Sequence, residues 1–328
     1  MQFVNLGRAG VKVSRLCLGT MAYGTPQWQP WILDEEASRP FYREAVEAGI
    51  NFFDTANMYS LGESEVVLGR ALKDLGISRE RAVIATKVYN ATGDSPNQRG
   101  LSRKHIRHAV DDSLRRLGTD YIDLYQTHRL DHDTPFDEIV EALHDVVKAG
   151  KVLYLGASSM FAWEFMKMLG RADTLGLTRF TSMQNYYNLA YREEEREMLP
   201  LCRAEGIAVL PYSPLARGFL VGNRNLTADD ADTVRTKSDR FARQHFYQPR
   251  DYAIVDRLTE LAKARGISNA RLSLAWVLHQ PGITSPIISA TKPGQMADLI
   301  AALDVKLTEE ELRLLAEPYV SRGVTFHS

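Results

Sequence analysis

No two of the 22 glycines in this chain are separated by a single residue, so the GxGxxG turn of a dinucleotide-binding Rossmann unit cannot be written anywhere in it. No tyrosine is followed four places later by lysine, which removes the Tyr-x-x-x-Lys pair of short-chain dehydrogenases. GxxxxGKS/T, HExxH and GxSxG are missing too, and with them the P-loop, zinc-protease and α/β-hydrolase readings. Cysteine is scarce: Cys17 and Cys202 are the only two in 328 residues, each within an apolar run, and no CxxC occurs. They read as buried thiols of a reducing compartment, which predicts a cytoplasmic protein. No apolar run approaches the ~18 residues of a membrane span. The start, MQFVNLGRAGVKVSRLCLGT, lacks the basic-then-apolar order of a signal peptide. Neither sign of charge is in excess, the formal net charge being −1, so neither nucleic acid nor a membrane surface is expected as a partner.

What the chain does have is alternation. Short apolar runs stand at 15–19, 50–53, 82–86, 121–126, 152–156, 180–184, 207–211 and 285–289, with amphipathic stretches between them. The clearest helix is predicted over 102–117: Ser102 is a candidate N-cap, Ile106, Ala109, Val110, Leu114 and Leu117 share a face, and Gly118 is placed to end it. Helices are also predicted over 136–149, 191–205 and 252–265. Strands joined through helix-length spacers predict a parallel α/β sheet. Eight such units fit a closed (β/α)8 TIM barrel, although a doubly wound open sheet has the same local pattern. Segments 3–6 and 11–14, split by Gly7 and Gly10, predict an N-terminal β-hairpin capping the barrel bottom. Residues 219–250 are polar and of mixed charge, and predict an inserted loop after strand 7, a lid or specificity loop. No linker composition divides the chain, so residues 1–328 are expected to form one domain.

In a parallel barrel the chemistry sits at the C-terminal ends of the strands. Taken in order, those ends carry Asp54 with Tyr59 beyond it, Lys87, His128, Ser158 and Ser159, Gln184 and Asn185, then Tyr212 and Ser213. Any one of them alone is an ordinary cap, loop charge or structural side chain. Their occurrence at successive strand ends brings an acid, a phenol, an ammonium and an imidazole to one rim.

Several segments resemble the aldo-keto reductases. AGINFFDTANMYSLGESEVVLGRAL is similar to that family's catalytic segment, VIATK to its lysine segment and YIDLYQTHRLD to its histidine segment. QNYYNLAYREEEREMLPLCRAEGIAVLPYSPLARGFL is similar to its cofactor-side segment, and the resemblance runs in order over about residues 1–317. The HRLD, ASSM and REEEREMLPLC wording is nearest the branch of bacterial reductases, aryl-alcohol dehydrogenases and potassium-channel β subunits. The resemblance implies a catalytic tetrad of Asp54, Tyr59, Lys87 and His128. A free phenol, with a pKa of ~10, is a weak proton donor near neutral pH, and a neighbouring ammonium stabilises its anion. Asp54 would hold Lys87, and His128 would orient a carbonyl oxygen toward Tyr59.

The resemblance also implies NADPH, with NADH the less favoured cofactor. Ser158, Ser159 and Gln184 would hold its carboxamide, Tyr212 would stack on the nicotinamide, and Gly19 and Thr20 would lie beside it. Ser213, Pro214, Leu215 and Gly218 would follow the pyrophosphate, and Ala290, Thr291, Lys292, Gln295 and Asp298 would grip the adenosine phosphate, Lys292 at its 2′-phosphate. Leu299 stands where that family often has Asn, and Thr291 where it often has a basic residue. Tyr23, Trp28, Trp31 and Tyr89 are expected at the substrate mouth, with Tyr319 and Phe326 adding to the wall, which favours a bulky apolar or aromatic carbonyl compound. No metal is expected, because His128 and His132 lie in a loop-like segment. The alternative function is a nicotinamide-binding sensor or accessory subunit with little turnover.

Overall fold

The computed structural model describes residues 1–222, 248–325 and 327. A two-stranded antiparallel hairpin comes first, β1 (Phe3–Asn5) against β2 (Lys12–Ser14). Eight parallel strands follow: β3 (Cys17–Gly19), β4 (Phe52–Asp54), β5 (Val83–Val88), β6 (Ile122–Thr127), β7 (Val152–Ser158), β8 (Phe180–Gln184), β9 (Ala208–Val209) and β10 (Ile287–Ile288). Each overlaps one of the eight apolar runs. β5 and β6 are buried along their whole length, as strands covered on both faces must be.

Spatial order decides between barrel and open sheet. Strands β3 to β9 lie in sequence order, and β10 returns beside β3. A doubly wound sheet would reverse its order at a switch point. The last gap closes where Val209 bridges to Ile283 and the Ile287 N–H donates to the Pro211 carbonyl at 2.8 Å. The architecture is the (β/α)8 barrel. At its lower end, Leu6 and Val13 of the hairpin pack with Cys17, Phe52, Val83, Ala85, Leu124, Ala208 and Leu210 in one buried cluster. Gly7 makes that approach possible: its φ is +59°, and a Cβ there would lie 2.7 Å from the Gly206 carbonyl oxygen.

The helices around the barrel are α1 (Glu35–Glu47), α2 (Glu63–Asp74), α3 (Arg103–Leu117), α4 (Phe136–Lys148), α5 (Ala162–Thr174), α6 (Met198–Glu205), α7 (Pro249–Ala264), α8 (Asn269–His279), α9 (Gln295–Ile300) and α10 (Glu309–Ala316). The Ser102 hydroxyl caps α3 by accepting from the His105 N–H, and Gly118 ends the helix at φ +65°. The single helix expected over 191–205 is instead one 3-10 turn, Glu193–Glu195, and then α6. Pro200 has no N–H to continue a preceding turn, and it falls in the first turn of α6, where none is needed. Most of the expected insertion, 223–247, lies outside the described residues, as does Phe326. Among the described residues no helix is long and apolar enough to cross a membrane.

Gly69 sets the spacing between α2 and α3. An added Cβ would stand 2.3 Å from the Leu117 carbonyl oxygen, a backbone atom with nowhere to go. Gly69→Ala is therefore expected to destabilise by about 1–3 kcal/mol through overpacking. Gly170→Ala on α5 meets nothing within 4 Å, and should be neutral or stabilising by up to about 1 kcal/mol. Denaturant midpoints of the two variants against wild type check this, and equal midpoints would overturn it.

Candidate active site

Alternate residues of a barrel strand point inward, so each strand contributes a vertical series to the interior. Low in the barrel these series are apolar. At the top they turn polar: Phe52 is followed by Asp54, Ala85 by Lys87, Leu124 by Gln126 and His128, and Ser182 by Gln184.

Lys87 is fully buried, and each of its three ammonium hydrogens has an acceptor. Its Nζ donates to Asp54 Oδ1 at 2.5 Å, to the Thr55 carbonyl at 2.8 Å and to Tyr59 Oη at 3.3 Å. Burial penalises its charge, but attraction to Asp54 and Tyr59 outweighs that penalty and holds the Lys87 pKa above the ordinary lysine range. The other Asp54 oxygen, Oδ2, accepts from Gln126 Nε2 at 3.0 Å and from Gln184 Nε2 at 2.9 Å. Sequence reading did not single out Gln126. Its signal was present in the period-two series Ile122, Leu124, Gln126, His128, where a carboxamide replaces an apolar inward residue.

Tyr59 is presented by an unusual turn. Ser60 and Leu61 both take left-handed backbone angles (φ 50° and 54°), and Gly62 follows at φ 97°. Such angles cost a non-glycine residue about 1–2 kcal/mol each, and strain of this kind collects at functional sites. The turn is anchored by the buried Ser60 hydroxyl, which accepts from the Thr25 N–H at 3.1 Å. The His128 ring stands edge-on to Tyr59, with centroids 5.7 Å apart. Burial, then the nearby Lys87 and Arg129 cations, push the His128 pKa well below the ordinary histidine range, so the ring is neutral at physiological pH.

The expected mouth residues divide. Trp28 lies 6.3 Å from the Tyr59 ring, tilted by 37°. Trp31 and Tyr89 are half-buried and pack on the core. Tyr23 departs from the expectation of a mouth residue. It is fully buried, stacked 6.1 Å from Phe41, and its hydroxyl donates to the Ala290 carbonyl at 2.8 Å. A phenol needs such an acceptor once buried, and burial pushes its pKa up to about 12.

On the side of β7 to β10, the Ser158 hydroxyl donates to the Gln184 carbonyl at 3.0 Å, and Ser159 Oγ meets Tyr212 Oη at 3.3 Å. Ser159, Ser213, Ala216 and Arg217 take positive φ without being glycine, and Gly218 joins them at φ +88°. Pro214 and Leu215 lie within this run, the Pro214 carbonyl accepting from Ser273 at 3.4 Å. Gly19 packs on Ile287, and the Thr20 hydroxyl is shared with Ser64 at 2.9 Å. The Gln295 amide oxygen accepts from the Thr291 and Lys292 N–H groups at 2.9 and 3.1 Å, which shapes that loop. Asp298 is paired with Arg271 at 2.8 Å, Leu299 is buried, and Lys292 is exposed. His132 pairs with Glu164 at 2.9 Å. Clustered hydroxyls and a carboxamide beside an aromatic ring are a donor set suited to a nicotinamide carboxamide. The run of left-handed residues next to it is backbone of the kind that approaches a ligand closely.

A family model described as Aldo/keto reductase family matches residues 15–319. The chain belongs to that family. This aldo/keto reductase is 44% identical to versiconal hemiacetal acetate reductase of Aspergillus parasiticus, over 99% of this chain and 98% of that one. It is 39% identical to the aldo-keto reductase dtxS3 of Metarhizium robertsii, over 100% and 94% of the two chains. With the aldo-keto reductase AMT2 of Alternaria alternata it shares 38% identity over 98% and 93%. As a member of this family the chain is an oxidoreductase.

The described residues of the C-terminal tail contact the segments that follow β7 and β8. Tyr319 donates to Glu193 Oε1 at 2.7 Å, the Thr325 N–H donates to Tyr191 Oη at 3.0 Å, and His327 pairs with the buried Glu194 at 2.6 Å while standing edge-on to Phe161.

Proposed function

We propose that this reductase uses NADPH to reduce an aldehyde or ketone, with Tyr59 as proton donor, and that the same residues serve alcohol oxidation in reverse. The observation that carries this reading is the buried Lys87, whose ammonium meets Asp54, Thr55 and Tyr59 at once. A protein that only held a nicotinamide would have no use for a cation sealed against a phenol.

Reduced nicotinamide, when bound, supplies a hydride to the carbonyl carbon. Tyr59 supplies the proton: as negative charge grows on the substrate oxygen, the phenolic O–H breaks toward it. The phenolate that remains is stabilised by Lys87 at 3.3 Å. Asp54, held in turn by Gln126 and Gln184, keeps that ammonium in place and charged. His128, neutral and beside Tyr59, holds the carbonyl oxygen in line with the phenol. Ser158, Ser159 and Gln184 hold the carboxamide, Tyr212 backs the ring, and Gly19 and Thr20 line the adjoining floor. Ser213, Pro214, Leu215 and Gly218 follow the pyrophosphate. Ala290, Thr291, Lys292, Gln295 and Asp298 form the adenosine end, where the exposed Lys292 favours the 2′-phosphate of NADPH over NADH.

Trp28 lies against Tyr59 and makes one face of the substrate mouth, with Trp31 and Tyr89 farther back. This favours flat, apolar carbonyl compounds. Following nicotinamide absorbance over a panel of aldehydes and ketones tests the assignment. Turnover should be faster with NADPH than NADH and fastest with aromatic aldehydes. Trp28→Ala should raise KM for those substrates by about tenfold, the loss of one aromatic contact of ~1 kcal/mol or somewhat more. A panel in which only small polar carbonyls react would sink the aromatic mouth. Tight NADPH binding without turnover of any carbonyl would favour a sensor.

A further inference from the structure

A neutral imidazole carries one donor nitrogen and one acceptor, and their assignment decides whether His128 can hold a carbonyl oxygen at all. Nδ1 of His128 lies 3.1 Å from Nδ2 of Asn90, three residues beyond Lys87. The backbone keeps these loops in register, because the His128 N–H donates to the Val88 carbonyl at 2.9 Å. An amide nitrogen only donates. With the Asn90 amide oriented in this way, Nδ1 is the acceptor and the ring proton is left on Nε2. No described residue bonds Nε2, and it is not among the sealed polar atoms.

The groups around the ring are the Lys87 ammonium from β5, the Arg129 guanidinium on its own segment and the Tyr59 ring from beyond β4. Both cations oppose a second proton. We propose that Asn90 is a positioning residue that locks His128 as its Nε2–H tautomer, so that the imidazole donates to the substrate's carbonyl oxygen and delivers it to Tyr59. This rests on the reading of Tyr59 and His128 given above. Asn90 touches neither hydride nor proton in transit, and its effect passes wholly through the tautomer.

Two substitutions separate this from a merely structural role. In Asn90→Leu the tautomer preference is lost, and kcat/KM should fall about tenfold, the worth of one neutral hydrogen bond at its upper end. In Asn90→Asp the carboxylate accepts a hydrogen bond from Nδ1–H, so a neutral ring presents a bare Nε2 lone pair to the carbonyl. At pH 8 this variant should lose ~100-fold, as for a missing oxyanion donor. The ratio of its activity to wild type should then climb as pH falls and the imidazolium regains an Nε2–H.

Histidine-selective ¹⁵N NMR of the whole protein, with and without NADP⁺, reads the tautomer without turnover. Wild type should show the Nε2–H pattern, Asn90→Leu a mixture, and Asn90→Asp the Nδ1–H or imidazolium pattern. A wild-type Nδ1–H pattern overturns the proposal, as does an Asn90→Asp variant with wild-type activity and pH profile. Tyr59→Phe and His128→Ala are assayed in parallel. Full activity in both would remove the reading beneath, and the NMR pattern would still decide what Asn90 does.

Discussion

Tyr59→Phe is expected to lower kcat for carbonyl reduction by ~10³-fold or more while NADPH affinity changes less than about twofold. The size follows from the worth of a positioned general acid, ~10²–10⁴-fold. The selectivity follows from the geometry. The phenol oxygen is the Tyr59 atom that accepts from the Lys87 ammonium, at 3.3 Å, whereas the residues proposed to hold the nicotinamide stand on β7, β8 and the turn after β9. The ring remains to pack against Trp28 and His128, so the fold should tolerate the change. Single-turnover kinetics with NADPH, beside a fluorescence titration of the cofactor, make the comparison. Undiminished activity would remove Tyr59 as the proton donor, and a parallel collapse of cofactor binding would mean that its role is structural.

Lys87→Met is expected to cost about 3–5 kcal/mol of stability, because it strands one partner of a buried ion pair. The pair is sealed, the Lys87 and Asp54 side chains being 0% and 4% exposed. Without the ammonium, Asp54 keeps only the Gln126 and Gln184 amides on one of its oxygens. Acidification, which neutralises the stranded carboxylate, should restore part of the stability. Wild type behaves oppositely with respect to this pair. The folded Lys87 pKa lies above its unfolded value, so the contribution is complete below the ordinary lysine range and is lost only as pH rises through the folded value. Near neutrality it is constant. The double variant Lys87→Met with Asp54→Asn removes both charges and should recover more than half of the loss, while remaining inactive. Denaturant melts at several pH values across this cycle decide the matter. Additive losses would show that the two residues are not coupled.

The eight barrel strands, the hairpin, the α3 caps and the order of Asp54, Tyr59, Lys87 and His128 along the chain were legible in the amino-acid sequence. Each is a local pattern: an apolar run, a capping serine with a terminal glycine, a polar residue where a strand gives out. Tertiary structure decided the rest. Asn90 escaped notice because a carboxamide in a loop has no local signature, and Gln126 because a break in an inward apolar series does not name its partner; both find their partners only once the strands from β4 to β8 are assembled. Tyr23 sits in an aromatic-rich loop that reads like a mouth, but closure of the barrel brings the Ala290 carbonyl to its hydroxyl and draws the ring into the core. At the break in the helix expected over 191–205, the Glu193 and Glu194 carboxylates meet Tyr319, Arg322 and His327 from the C-terminal tail and Asn185 from the end of β8, partners that no local pattern announces. Local pattern determined which segments became strands and helices, because apolar burial and capping act within a few residues. The partners of each buried polar group were settled only when the barrel closed, because a charge or amide shut off from water takes whatever donor or acceptor the neighbouring strand presents.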